Sequence, residues 1–211
     1  MKEGQKAIYF MTGDGPGRLA KSPQLEGFSA RDIEVLLLTD PVDSFWVTAA
    51  PLFDGKPFKS VTQGSADLSD IGLPEDAEKG DAASTSQMAT FIAFLKSTLG
   101  DAVTDVRASE RLTESAVCLV APENGPDRQI ERLLSAAGRM NMATRPVLEV
   151  NPRHSRIARL AGISAGELSL RQDAAHLLLD EARILDGDKP LDPRAFSERL
   201  ERLLDRALPS N

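Results

Sequence analysis

A single cysteine, Cys118, occurs among the 211 residues, so no intrachain disulfide can form and the chain suits a reducing compartment. Two histidines, His154 and His176, are present, and neither has a second His or Cys at i+3 or i+4, so the spacing of a helical metal site is missing. Aromatic residues make up 5% of the chain, with one Trp and one Tyr; any core must be filled mainly by aliphatic side chains. No apolar run approaches the roughly 20 residues of a membrane span. The polar start Met1-Lys2-Glu3-Gly4-Gln5 lacks the apolar segment of a signal peptide, so a cytoplasmic location with no membrane partner is expected. There is no Gly-x-Ser-x-Gly elbow and no evident Ser partner for either histidine, which removes the usual serine hydrolase signatures. A formal net charge of −7 argues against a nucleic-acid partner, whose phosphates call for clustered Lys and Arg.

With 41% apolar and 27% charged residues, the chain has an ordinary globular composition and room for one large or two modest domains. The most informative stretch runs from Ile33 to Trp46. The unbroken apolar run Val35 to Leu38 predicts a strand covered on both faces, since a strand wet on one face alternates. Asp40 is then a natural N-cap and Pro41 a first helical residue, predicting a helix over residues 41–50. Ala7 to Met11 reads as an earlier strand, and strand, crossover, strand implies a small α/β unit. That first strand begins so early that the chain looks like a piece of a longer one. Asp54-Gly55 marks a turn before a strand at residues 58–62.

From Gly64 to Ser84 the composition shifts to Gly, Ser, Asp and Glu, which predicts a linker at 67–84 between a domain at 1–66 and one at 85–211. Met88, Phe91, Ile92, Leu95 and Leu99 keep helical spacing up to Gly100. Strands are predicted at 103–109, 116–120 and 146–150, with a helix at 126–137 between the last two and a short one capped by Asn151 after them. Two long amphipathic helices close the chain. One carries Leu170, Ala174, Leu177, Leu178, Glu181 and Leu185; the other starts at Asp192-Pro193 and carries Phe196, Leu200, Leu203, Leu204, Ala207 and Leu208. The short turn between them predicts an antiparallel hairpin, which can cover its own sheet or a second copy of itself.

Few residues offer chemistry. Gly13-Asp14-Gly15-Pro16-Gly17 follows the first strand, where a phosphate-cradling loop would sit, but its third glycine comes too early for a dinucleotide fingerprint and no Gly-Lys-Ser/Thr follows. A doubly wound enzyme using this loop for a nucleotide or phosphorylated substrate is the alternative reading. Cys118, between Val117 and Leu119, reads as core. Glu198, Glu201 and Asp205 interleave with Arg199, Arg202 and Arg206 and read as a solvated face. Two features suit binding. Phe45 and Trp46 are adjacent in a helix and so point about 100° apart, which leaves one of them exposed. Ile130, Leu133 and Leu134 form an apolar side that either packs on the sheet or meets a partner.

Leu36-Leu37-Leu38-Thr39-Asp40-Pro41-Val42-Asp43, Phe53-Asp54-Gly55-Lys56, Ile8-Tyr9 behind the polar start, and Leu177-Leu178-Leu179-Asp180 with the closing helix together resemble the C-terminal part of the ninety-kilodalton heat-shock chaperone family, of bacterial HtpG type. The resemblance implies the end of an α/β middle domain followed by an α+β dimerisation domain, with a three-stranded sheet and a terminal hairpin that joins its twin in a four-helix bundle. Amphipathic helices most often cover their own core, which favours a hairpin absorbed by its own sheet; the resemblance reverses that preference and makes Leu177, Leu178, Leu185, Phe196, Leu200, Leu203, Leu204 and Leu208 dimer-interface candidates. Phe45, Trp46, Ile130, Leu133 and Leu134 become candidates for contact with unfolded or partly folded client proteins. The family further implies an ATP-dependent homodimer whose ATP and Mg sit in an N-terminal domain absent here, so this chain is expected to have no catalytic residue and no cofactor of its own.

Overall fold

The computed structural model describes residues 1–2, 4–65, 68, 71, 84–138, 144–164 and 166–208. The first lobe is built on four strands, β1 (Ile8–Thr12), β2 (Val35–Leu38), β3 (Leu52–Phe53) and β4 (Lys56–Ser60), in the order β2-β1-β4-β3. β1 pairs in parallel with β2 on one side and β4 on the other. Its central place explains why Tyr9, Phe10 and Met11 are buried, with the Tyr9 ring edge-on to Phe28 at 4.8 Å. The crossover from β1 to β2 carries two single-turn helices, α1 (Pro16–Leu19) and α2 (Glu26–Ser29). β3 and β4 form a hairpin through Asp54 and Gly55, both at positive φ (48° and 72°), as the turn matching strand twist requires.

Two expectations for this lobe need correction. β2 is an edge strand rather than a doubly covered one, and Leu36 is 43% exposed; its neighbour β1 takes the central place, so one row of its leucines has no cover. The helix after it, α3 (Asp43–Ala49), starts later than residue 41. Asp40 orders the preceding turn instead: its Oδ1 accepts from Val42 N at 3.1 Å, and Asp43 Oδ2 accepts from Asp40 N at 3.0 Å. Leu68, 1% exposed, and Ile71 pack onto the first-lobe core. Apart from these two and Ser84, the expected linker at 67–84 lies outside the described residues.

The second lobe carries β5 (Asp105–Ala108), β6 (Val117–Val120) and β7 (Val147–Val150) in the order β5-β7-β6, with β7 parallel to β5 and antiparallel to β6. One face is covered by α4 (Thr85–Leu99), α6 (Ser155–Ala161) and α7 (Leu168–Asp186), around Phe91, Leu95, Val117, Leu119, Leu148, Ile157 and Leu179. The period of two sends Cys118, Val120 and Val147 to the opposite face, where they pack with Leu112. α4 begins in a reciprocal cap, Ser84 with Gln87. α6 begins three residues after the expected Asn151-Pro152 start: His154 Nδ1 accepts from Arg156 N at 3.1 Å, while Asn151 caps the turn before it. α5 (Arg128–Ala136) lies between β6 and β7 in sequence. α7 stops at Gly187, left-handed at φ 92°, and α8 (Pro193–Ala207) starts where Asp192 accepts from Arg194 N and Ala195 N. No described helix is long and apolar enough to cross a membrane.

Candidate functional site

The lobes have separate apolar cores and are joined by buried polar groups. Arg111, 1% exposed, donates to Glu149 Oε2 at 2.9 Å and reaches into the first lobe, to Gly64 O at 2.5 Å and to Val61 O. Glu149 also receives Arg107 at 2.8 Å and Ser109 Oγ at 2.8 Å. In the opposite direction Glu26, on α2, accepts from Thr113 N, Glu114 N and Ser115 N at 2.8–3.1 Å and from the Ser115 hydroxyl. Gln24 donates to Leu119 O at 2.9 Å. Backbone bonds between Thr62, Ala121 and Gly64 continue the joint. Cys118 sits beneath it; burial, then the nearby Glu149 charge, push its thiol well above the usual range, so it is chemically quiet.

The Gly13–Gly17 loop serves the same joint. It leads into the four residues of α1, and the Arg18 guanidinium lies against Gly187 at the α7–α8 turn, so closely that a Cβ there would stand 2.7 Å from Nη1. Among the described residues, no group of three or more His, Cys, Asp or Glu side chains is placed to hold a metal ion.

At the far end, α7 and α8 fold back as a hairpin with an apolar groove between them. Leu177, Ile184, Leu185, Phe196, Leu200 and Leu203 line it, with Leu160 at its side. Leu178 also borders the groove but belongs to the second-lobe core at 3% exposure, because the α7 face bearing Ala175, Leu179 and Ala182 covers the sheet. α8 has no buried residue. Arg202 and Arg206 lie on a solvated face as expected, 53% and 52% exposed, and from there they pair with α7: Arg202 makes two bonds to Asp173 at 2.9 and 2.7 Å, and Arg206 meets Glu167 at 3.3 Å. The Arg202 hydrogen bond holds the Asp173 carboxyl below the usual carboxylate range. On the same helix Leu200, Leu204 and Leu208 are 41%, 53% and 63% exposed.

α5 is inverted: Asp127, Arg128, Gln129 and Glu131 are buried, while Ile130, Leu133 and Leu134 are only half-buried. Ile130 shares a cleft with Ser44, Val47 and Thr48 of α3 and with Phe58. On α3, Phe45 is exposed, whereas Trp46 is half-buried, its ring edge-on to Phe58 at 5.4 Å and its Nε1 donating to Asp43 at 2.7 Å. Of the residues singled out for partner contact, Ile130 lines this cleft, while Phe45, Trp46, Leu133 and Leu134 are not among its lining residues.

The Hsp90 protein family matches residues 1–211. The chain belongs to the Hsp90 family. Among its relatives is the Chaperone protein HtpG of Mesorhizobium japonicum, 68% identical over 208 residues, which cover 99% of this chain and 33% of that protein. The Chaperone protein HtpG of Rhizobium meliloti is 61% identical over the same shares, and that of Azorhizobium caulinodans is 60% identical over 100% of this chain and 33% of its own length. The chain thus spans about a third of the length of the relatives it matches. Of the segments that carry the Hsp90 likeness, Leu36 to Asp43 turns from β2 into α3, Phe53 to Lys56 is the hairpin turn, and Leu177 to Asp180 is the middle of α7.

Sequence reasoning missed the joint. Its clearest sign was Glu149, a charge inside the run Val147-Leu148-Glu149-Val150, where a fully buried strand tolerates a carboxylate only if it is paired. Asp127 and Glu26 carry no comparable signal, since acids at helix starts are ordinary.

Proposed function

We propose that this chain forms the dimerisation and client-contact part of an ATP-dependent chaperone of HtpG type, acting in the cytoplasm. The observation that supports this most is α8: a 15-residue helix with no buried residue, tied to α7 by exposed arginine pairs and carrying a row of exposed leucines. An amphipathic helix with its apolar side wet is stabilised by any partner that covers that side. A second copy offers the same row, and two-fold pairing of two hairpins makes a four-helix bundle with Leu177, Leu185, Phe196, Leu200, Leu203, Leu204 and Leu208 in or beside the seam; Leu178 supports it from within the subunit. Constant pairing at this end would make the meeting of two distant ATPase arms an intramolecular event. On this reading ATP and magnesium are held elsewhere in the longer protein, and client polypeptides meet Phe45, Trp46, Ile130, Leu133 and Leu134 around the cleft between α3 and α5.

The test is the mass in solution of the chain and of a Leu200→Asp/Leu204→Asp variant. Both leucines are exposed in the subunit, so folding should survive, while four charges would enter a two-copy seam. The chain should sediment at twice its 22.8 kDa and the variant at the single value. Burying one leucine is worth about 1.5–3 kcal/mol, so the double change removes enough to dissociate a micromolar dimer. A variant that remains paired rejects this seam.

A further inference from the structure

We infer that the start of α5 is held by a latch, the Asp127 carboxylate, most of whose partners belong to the other lobe, so that the helix loses its cap when the lobes part. Asp127 is the N-cap of α5 and is 7% exposed. Its own helix supplies one donor, Gln129 N at 2.9 Å. The remaining three are hydroxyls of the first lobe: Ser60 Oγ at 2.5 Å, Thr62 Oγ1 at 2.6 Å and Thr12 Oγ1 at 3.3 Å. A helix of the second lobe thus depends for its cap on the end of β1 and the end of β4.

Apolar burial by itself does not account for the pose, since Ile130, Leu133 and Leu134 are only half-buried. The side turned inward is Asp127, Arg128, Gln129 and Glu131, and one buried acceptor on it, Gln129 Oε1, has no partner. An amphipathic helix placed by burial alone would turn Ile130, Leu133 and Leu134 inward instead. What opposes that rotation is ionic. Arg128 reaches Asp186, the last residue of α7, at 2.7 Å and Asp188, in the turn after it, at 2.9 Å, and Arg132 also bonds Asp186. Burial works against the Arg128 charge, but Asp186 beside it more than restores it and its pKa rises. Gln24 of the first lobe approaches Asp186 at 3.4 Å.

When the lobes separate, the carboxylate loses three of its four donors at once, and the pose loses the contact that ties it to the first lobe. α5 then turns about the Arg128 and Arg132 bonds to Asp186, which lie within the second lobe and stay made, and its apolar side turns with it. The same helix touches the joint through Asp127, the hairpin turn through Arg128 and Arg132, and the cleft with α3 through Ile130, so lobe placement, hairpin and apolar surface are read by one element. The functional consequence rests on the proposal that this surface meets clients; the latch itself does not.

Two variants of the full 211-residue chain test it by amide hydrogen exchange. Asp127→Ala removes the carboxylate; Ser60→Ala removes a donor in the other lobe without touching α5. Each should speed exchange of the α5 amides, by about tenfold for Ser60→Ala and more for Asp127→Ala, as expected for lost bonds to a charged group, with β6 and β7 unchanged. Unaltered α5 exchange in Ser60→Ala overturns the latch, as does a rise shared equally by all elements of that variant. Binding of a reduced, alkylated polypeptide is measured in parallel: if α5 exchange responds and binding does not, the latch stands and the client-contact reading of α5 falls.

Discussion

Replacing Arg111 with Met is the sharpest test of the joint. The side chain is 1% exposed and makes its bonds in two directions, to Glu149 at 2.9 and 3.2 Å and to the first-lobe carbonyls of Val61 and Gly64. Methionine fills much of the volume and leaves three acceptors short of a donor. Losing one partner of a buried ion pair costs about 3–5 kcal/mol. Here Glu149 keeps Arg107 and Ser109, which places the loss near the lower figure, about 3 kcal/mol. For a chain of this size that lowers Tm by about 6–12 °C. Urea unfolding of the chain, Arg111→Met, Glu149→Leu and the double variant completes the cycle. Glu149→Leu should be the worst, since it strands a buried guanidinium, and the double variant should recover much of either loss because an apolar pair needs no counter-charge. A loss below about 1 kcal/mol for Arg111→Met, or a double variant as unstable as the sum of the singles, would refute the argument.

Gly27→Ala should destabilise by about 1–3 kcal/mol through overpacking, because the new Cβ would stand 2.5 Å from Arg111 O and 2.8 Å from Arg111 Cα, both backbone atoms of the other lobe; a urea midpoint at or above that of the parent chain contradicts this. His176, half-buried between α7 and α8, has its pKa lowered by burial first and then by Arg199, with Asp180 and Asp173 opposing. Its unfolded form takes a proton near about pH 6.5 while the folded form resists, so stability should fall as pH drops below that value, and His176→Gln should flatten the fall. Equal slopes for both proteins between about pH 7.5 and about pH 5.5 would refute this assignment. His154, lowered by burial and Arg156, acts in the same direction and leaves a residual slope.

Periodicity located the strands at the centre of each sheet and the long helices, because core side chains there repeat at a fixed interval and nothing else competes. It failed at β2, where an apolar run is compatible both with a covered strand and with the edge of a sheet. The helix starts at Asp40 and Asn151 were each placed up to three residues early, since a side chain that caps a turn and one that caps a helix look alike in sequence. The exposed row on α8 was legible as a stripe and Arg202 and Arg206 do lie on a wet face, but their pairing with Asp173 and Glu167 on α7, and the partial cover of Arg199, were not legible. The joint was least visible, because Glu26, Arg111 and Asp127 find their partners in the other lobe across intervals of 47 residues or more.

Temperature and salt should act unequally on the two ends of this molecule. Contacts between leucines fade on cooling. A joint built from Arg111, Glu149, Glu26 and Asp127 therefore tolerates cold better than the proposed seam of Leu200, Leu204 and Leu208. Under that proposal, chilling should part copy from copy, and sulfate, excluded from apolar surface, should draw the copies back together.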